Sequence, residues 1–262
     1  MTDNINFQSG YSEVNGLKMY YEIYGQGKTL VLIHGGGSTI QTSFGRIIPR
    51  LAKHRKIIAV ELQAHGRTND RNTDLSFEQD ADDVAKLLKN LEITKADFLG
   101  FSNGGHTTIE IALRHPDLVN KIILCSTFYK RSAVFPQFWE GFDGQVKFSD
   151  MPQPYKDEFL KVNNNPTALR NMFDKDVQRM KGFKDWRDEQ IRSIKAPALV
   201  MNGDADVASP EHTVEMFRLL PHAQLSILPG RHGAYLGELA TGADSKLPEL
   251  TVSMFEEFLD AN

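Results

Sequence analysis

A single cysteine in 262 residues, Cys125, leaves no pair for an internal disulfide and no thiolate set for a metal. It lies in the apolar run KIILCST and is expected to be a small buried strand residue. No apolar run approaches the roughly 18 residues that span a bilayer. The opening MTDNINFQSG has neither the basic start nor the apolar middle of a secretory signal. A cytoplasmic protein with no membrane partner is therefore expected. Basic blocks are missing as well, with 30 Lys and Arg against 34 Asp and Glu, so nucleic acid is not an expected partner. Neither G-x-x-x-x-G-K-[ST] nor a G-x-G-x-x-G opening a helix occurs, which argues against a phosphate-cradling loop. No cofactor and no metal are expected. There is no internal repeat and no low-complexity tract. Nothing in the chain distinguishes a monomer from a homodimer.

What is present, 40% hydrophobic and 24% charged residues with a net charge of −4, is the composition of an ordinary globular protein. The length suits one α/β domain with an insertion. Short β-branched runs recur at TLVLIHG (29–35), KIIAVEL (56–62), ADFLGF (96–101), KIILCS (121–126), ALVMNG (198–203) and QLSILPG (224–230). They alternate with segments of helical period, the pattern of a mostly parallel central sheet flanked by helices. Ahead of them, YSEVNG and LKMYYEIYG read as a hairpin turning at Asn15-Gly16. Val84, Leu87, Leu88 and Leu91 mark one amphipathic helix, and Val214, Phe217 and Leu220 another that starts at Ser209-Pro210. Val252, Phe255 and Leu259 mark a last helix.

The alternation breaks from 128 to 195, where QPYKDEFLKV, PTALRNMFDKDVQRM and DEQIRSI read as short helices. Both tryptophans, Trp139 and Trp186, fall here with ten other aromatic residues, Phe128 and Phe138 among them. Such an insertion is expected to be a helical lid on a core formed by 1–127 and 196–262. Its aromatics either line a pocket or attach the lid to the core, and Phe128, Phe138 and Trp139 are the pocket candidates.

GFSNGGH (100–106) sets Ser102 between glycines, after one strand candidate and before one helix candidate. A serine on that turn projects its hydroxyl at the carboxyl end of the sheet, where ligands bind in open α/β folds. A hydroxyl needs a base to become a nucleophile. Of the eight histidines, His54, His115, His212 and His222 read as surface or capping residues, whereas His232 in LPGRHGAYL occupies the loop after the last strand. The base in turn needs an orienting carboxylate. NGDADVASP offers Asp204 and Asp206, and spacing alone does not choose between them. Backbone amides for a developing oxyanion are available at Gly36 in HGGGS, with Gly37 as a further candidate, and at Asn103 where the helix begins.

These features together resemble the α/β-hydrolase superfamily over essentially the whole chain. The order Ser102, Asp206, His232 is similar to the family's serine, acid, histidine order. HGGG at 34–37 resembles its oxyanion motif, and ELQAHGRT at 61–68 a variant of its D-x-R-G-x-G-x-S turn. The family's acid follows a G-x-x-D pattern with a proline shortly after, so the resemblance favours Asp206, with Gly203 and Pro210, over Asp204. It also implies that 128–195 is a cap inserted after the sixth strand. Asn103 stands where members often carry Met, Leu or Gln. Gly233 replaces the tryptophan usual in the carbon–carbon-bond hydrolases, which disfavours that subgroup. Serine in place of aspartate at 102 disfavours a haloalkane dehalogenase. The resemblance implies a serine hydrolase of small-molecule carboxylic esters, with lactones and thioesters within the same chemistry. The alternatives are a cofactor-free perhydrolase and a hydrolase-fold small-molecule receptor with slow turnover.

Overall fold

The computed structural model describes residues 6–242 and 244–261. Residues 1–5 of the polar opening and Asn262 lie outside them. Eight strands, β1 (Phe7–Val14), β2 (Leu17–Tyr24), β3 (Thr29–Ile33), β4 (Lys56–Val60), β5 (Ala96–Phe101), β6 (Val119–Cys125), β7 (Ala198–Gly203) and β8 (Ala223–Leu228), form one sheet in the order β1-β2-β4-β3-β5-β6-β7-β8. The last six in sequence run parallel, and β2 pairs antiparallel with both β1 and β4. The hairpin turns where expected, with Asn15 and Gly16 both at positive φ (47° and 77°), the requirement of the two-residue turn whose twist matches the strands.

Among the described residues ten α-helices accompany the sheet: α1 (Ile40–Phe44), α2 (Ile48–Leu51), α3 (Phe77–Asn90), α4 (Asn103–Arg114), α5 (Pro136–Glu140), α6 (Gln153–Val162), α7 (Pro166–Lys181), α8 (Asp188–Ser193), α9 (Pro210–Leu219) and α10 (Leu247–Asp260). The apolar runs are uninterrupted because successive residues face opposite covered sides. Val31, Ile33, Ile58 and Val60 pack with α3, α4 and α9, whereas Leu30, Leu32, Ile57 and Ala59 pack with α1, α2 and α10. None of the described helices is long and apolar enough to cross a membrane.

Helices α5 to α8 occupy the stretch between β6 and β7. Met151, Phe159, Leu169 and Met172 form a small core of their own there, while Phe183, Trp186 and Met180 join the core on the sheet. Two side chains, one packed against this region and one within it, differ from the expectation. His212, expected at the surface, is buried with its ring stacked 4.8 Å from Tyr129. Trp139, expected to line a pocket, turns into the packed interior: its indole N–H donates to the Arg131 carbonyl at 2.8 Å and its ring lies 5.4 Å from Phe183.

His106, on the first turns of α4, is also buried, enclosed by Phe77, Phe128, Phe183 and Trp186 at 4.7–5.6 Å between ring centres. Burial, reinforced by the Arg179 charge, pushes its pKa down to about 3. The unfolded chain therefore binds a proton below about pH 6.5 that the folded chain refuses, and folding stability is lost as pH falls through that window. His106→Phe is expected to remove this loss, so that the variant gains about 1.4 kcal/mol per pH unit on the wild type between pH 6 and 4. Urea unfolding at several pH values measures the difference, and a difference independent of pH would contradict it.

Candidate active site

Strand β5 ends at Phe101 and α4 begins at Asn103, so a single residue makes the corner. That residue, Ser102, is held at φ 54° and ψ −121°, a conformation that costs an L-residue of order 1–3 kcal/mol and persists only when its surroundings impose it. They do so by close approach. A Cβ at Gly104 would lie 2.0 Å from the Ile33 carbonyl oxygen, and one at Gly100 2.2 Å from the Gly104 carbonyl oxygen. The Ser102 N–H is anchored on the Cys125 carbonyl at 2.9 Å. Cys125 itself is the buried strand residue expected.

His232 follows β8, and its Nδ1 lies 2.6 Å from Asp206 Oδ1. The Asp206 side chain is wholly buried and accepts three further hydrogen bonds, from Ser126 Oγ at 2.6 Å, the Val207 N–H at 2.6 Å and the Gly203 N–H at 3.2 Å. Burial alone would raise its pKa, but His232, Ser126 and Val207 together outweigh burial and hold it below the usual carboxylate value. An ionised carboxylate only accepts, so Nδ1 of His232 carries a proton, and in the neutral ring Nε2 is then the nitrogen with the free lone pair. Asp204, by contrast, is exposed and accepts the Gly230 N–H at 2.8 Å, which ties the loop after β7 to the bend after β8.

Ser102 and His232 line one cavity of about 420 Å³, within the range of ligand pockets. Gly36, Asn103, Phe128 and Phe138 line it as well. The Asn103 side chain fills the space in front of Gly36, its Nδ2 2.6 Å from where a Cβ would sit. The Asn103 N–H opens α4, where no intrahelical acceptor exists. Gly37 also lines the cavity, but its N–H is taken by Asp176 Oδ2 at 2.6 Å, which removes it from the candidate oxyanion donors.

Three features of the site escaped the sequence reading. Met151, Tyr155, Phe173 and Met180 complete the apolar wall from the insertion. Asp176 lies on the stripe of α7 defined by Leu169, Met172 and Met180, and a carboxylate in an apolar stripe is the signal that could have found it. Ser126, at φ 50°, bridges Asp206 and the Tyr235 hydroxyl, at 2.6 and 2.8 Å. Among the described residues no group of three or more metal-ligating side chains is gathered.

A family model described as the alpha/beta hydrolase fold matches residues 28–239. The chain is 25% identical over 236 residues to the serine hydrolase BPHL of Homo sapiens, covering 85% of this chain and 79% of that one. Among solved structures it is similar to a serine hydrolase involved in carbazole degradation, the CarC enzyme, at TM-score 0.79 and 22% identity over 97% of this chain and 99% of that one. It is also similar to the enol-lactonase from Burkholderia xenovorans LB400, at TM-score 0.75 and 23% identity over 96% of this chain and 100% of that one.

Gly233, immediately after His232, is at φ 70°, and a Cβ there would lie 2.8 Å from Phe101 Cζ and 2.7 Å from Glu238 Cβ. Gly233→Ala is expected to cost about 1–2 kcal/mol from the backbone conformation alone, and more through these contacts. Chemical denaturation checks this, and a variant as stable as the wild type would contradict it.

Proposed function

The chain belongs to the alpha/beta-hydrolase family of hydrolytic enzymes, and on that premise we propose that it is a serine hydrolase of small carboxylic esters. The observation that carries the proposal is the 2.6 Å pair of Asp206 and His232 at a cavity that Ser102 also lines. In this reading the Ser102 hydroxyl attacks the ester carbonyl while its proton passes to His232 Nε2. The tetrahedral oxyanion is held by the N–H groups of Gly36 and Asn103. His232 then gives the proton to the departing alcohol oxygen, the carbonyl reforms, and an acyl-Ser102 intermediate remains. Water, deprotonated by His232, repeats the sequence and releases the acid. Asp206 keeps His232 in the required tautomer and stabilises the imidazolium formed in each half-reaction.

The cavity supports a substrate that is apolar on its acyl or aryl side. Phe128, Phe138, Phe173, Met151 and Met180 form its wall, and the acidic side chains on it are the carboxylates Asp150 and Asp176. Lactones and thioesters fall under the same chemistry, since each presents a carbonyl carbon and a leaving oxygen or sulfur. Residues 128–195, which supply most of that wall, act as the cap of this site.

Two variants test the roles of the loop aspartates. Asp206→Asn removes the acceptor that sets the tautomer and is expected to lower kcat by about 10³- to 10⁴-fold. Asp204→Asn is expected to leave kcat within about threefold, because that carboxylate meets only a loop amide. Initial rates on p-nitrophenyl esters measure both, and the reverse ranking would contradict the assignment.

A further inference from the structure

Three consecutive glycines, Gly35 to Gly37, form the proposed oxyanion loop, and glycine restricts its own dihedrals less than any other residue. A loop of that kind aims an amide only if something outside it holds both ends. The upstream anchor is His34. Its Nδ1 donates to the Gly35 carbonyl at 2.7 Å and its Nε2 accepts the Leu62 N–H at 3.0 Å, so the ring is neutral, and burial pushes its pKa down to about 3. The downstream anchor comes from the insertion. Gly37, at φ 66°, donates its N–H to Asp176 Oδ2 on α7 at 2.6 Å, across 139 residues of sequence.

Asp176 is built for this bond. The same Oδ2 accepts from His65 Nε2 at 3.0 Å, while Oδ1 accepts from Arg179, whose other nitrogen donates to Asp80 at 2.8 Å. His65 Nδ1 meets the Gln63 carbonyl at 2.8 Å, so both ring nitrogens face oxygens that only accept, and the ring carries two protons. Burial works against that charge, but Asp176 outweighs it and raises the His65 pKa, and the same two cations hold Asp176 well below the usual carboxylate range. Two cations and two anions thus lie end to end between α7, the 61–68 turn and α3.

We propose that Asp176 is a positioning residue that fixes the Gly36–Gly37 peptide from the insertion, so that seating of α7 and readiness of the oxyanion donors are one event. Holding the Gly37 N–H toward α7 turns the carbonyl of the same peptide the opposite way and leaves the Gly36 N–H as the free donor of the loop. With Asp176 withdrawn, the glycines regain their freedom and the donor loses its aim. The inference rests on the serine-hydrolase reading above.

The test compares Asp176→Ala, Asp176→Asn and Asp80→Asn by kcat and KM on an aryl ester, and by the affinity of an arylboronic acid, which forms a tetrahedral adduct on a reactive serine. Losing an oxyanion donor costs about 10²- to 10³-fold in rate. Asp176→Ala is therefore expected to lower kcat by about 10- to 10³-fold with KM within about threefold, and boronic acid affinity should fall in step. Asp176→Asn keeps a weaker acceptor for the Gly37 N–H and should fall between Ala and wild type. Asp80→Asn breaks the far end of the same charge array and should lower the unfolding midpoint with kcat within about threefold. If Asp176→Ala does not fold, the isosteric Asn variant decides: a kcat reduced by about 3- to 30-fold at constant KM supports the role, and an unchanged kcat overturns it. Equal losses of kcat in Asp80→Asn and Asp176→Ala would reduce Asp176 to a structural residue and overturn it too. A wild type that neither turns over esters nor binds the boronic acid overturns the hydrolase reading and this inference together.

Discussion

Helix α4 starts so close to the sheet that a Cβ at Gly104 would lie 2.0 Å from the Ile33 carbonyl oxygen. That contact forces the chain round the corner at Ser102 with a positive φ, and it places the N-terminus of α4 beside the loop that follows β3. Its consequences converge on one spot. Ser102, Asn103 and Gly36 all line the cavity there, and Gly36 meets the Asn103 side chain. A larger residue at 100 or 104 would push the helix outward and separate all three. The strain of the corner is balanced by the packing of β3, β5 and α4, which contribute Val31, Ile33, Phe98, Ile109 and Ile111 to one buried core.

The same economy governs the polar groups below the cavity. Burying a carboxylate is costly unless its oxygens are fully hydrogen-bonded. Asp206 is wholly buried and has four donors, one of them His232, so its charge is retained and its orientation fixed. Asp176 meets Gly37, His65 and Arg179 and is held in the same manner. Asp204, two residues from Asp206, has one loop amide and open solvent. Sequence proximity therefore says little about which carboxylate serves the site; the number and chemistry of the donors around it say much more.

The strands were legible because a parallel sheet covered on both faces demands continuous apolar runs, and each of the six runs read in the sequence became a strand. The hairpin followed from Asn15-Gly16, and the start of α9 from Ser209-Pro210, whose hydroxyl caps the His212 N–H. Short helices α1 and α2 carry too few turns for an apolar period to show. The placement of Ser102, Asp206 and His232 at one end of the sheet was legible because each follows a strand. Asp176, His65 and His106 were not, since their partners come from distant parts of the chain: Asp176 meets His65 across 111 residues and Gly37 across 139. Trp139 was misplaced for a related reason. Aromatic composition marks a packed insertion, but the direction of a single ring depends on neighbours such as Arg131 and Phe183.

The reactivity of one hydroxyl lies at the centre, and covalent labelling by a fluorophosphonate, followed by intact mass and peptide mapping, reads it directly. One adduct per chain on Ser102 is expected, with none on Ser102→Ala at an unchanged unfolding midpoint. A wild-type chain that stays unlabelled, or an adduct that persists in Ser102→Ala, would contradict the proposed role of Ser102 as the nucleophile.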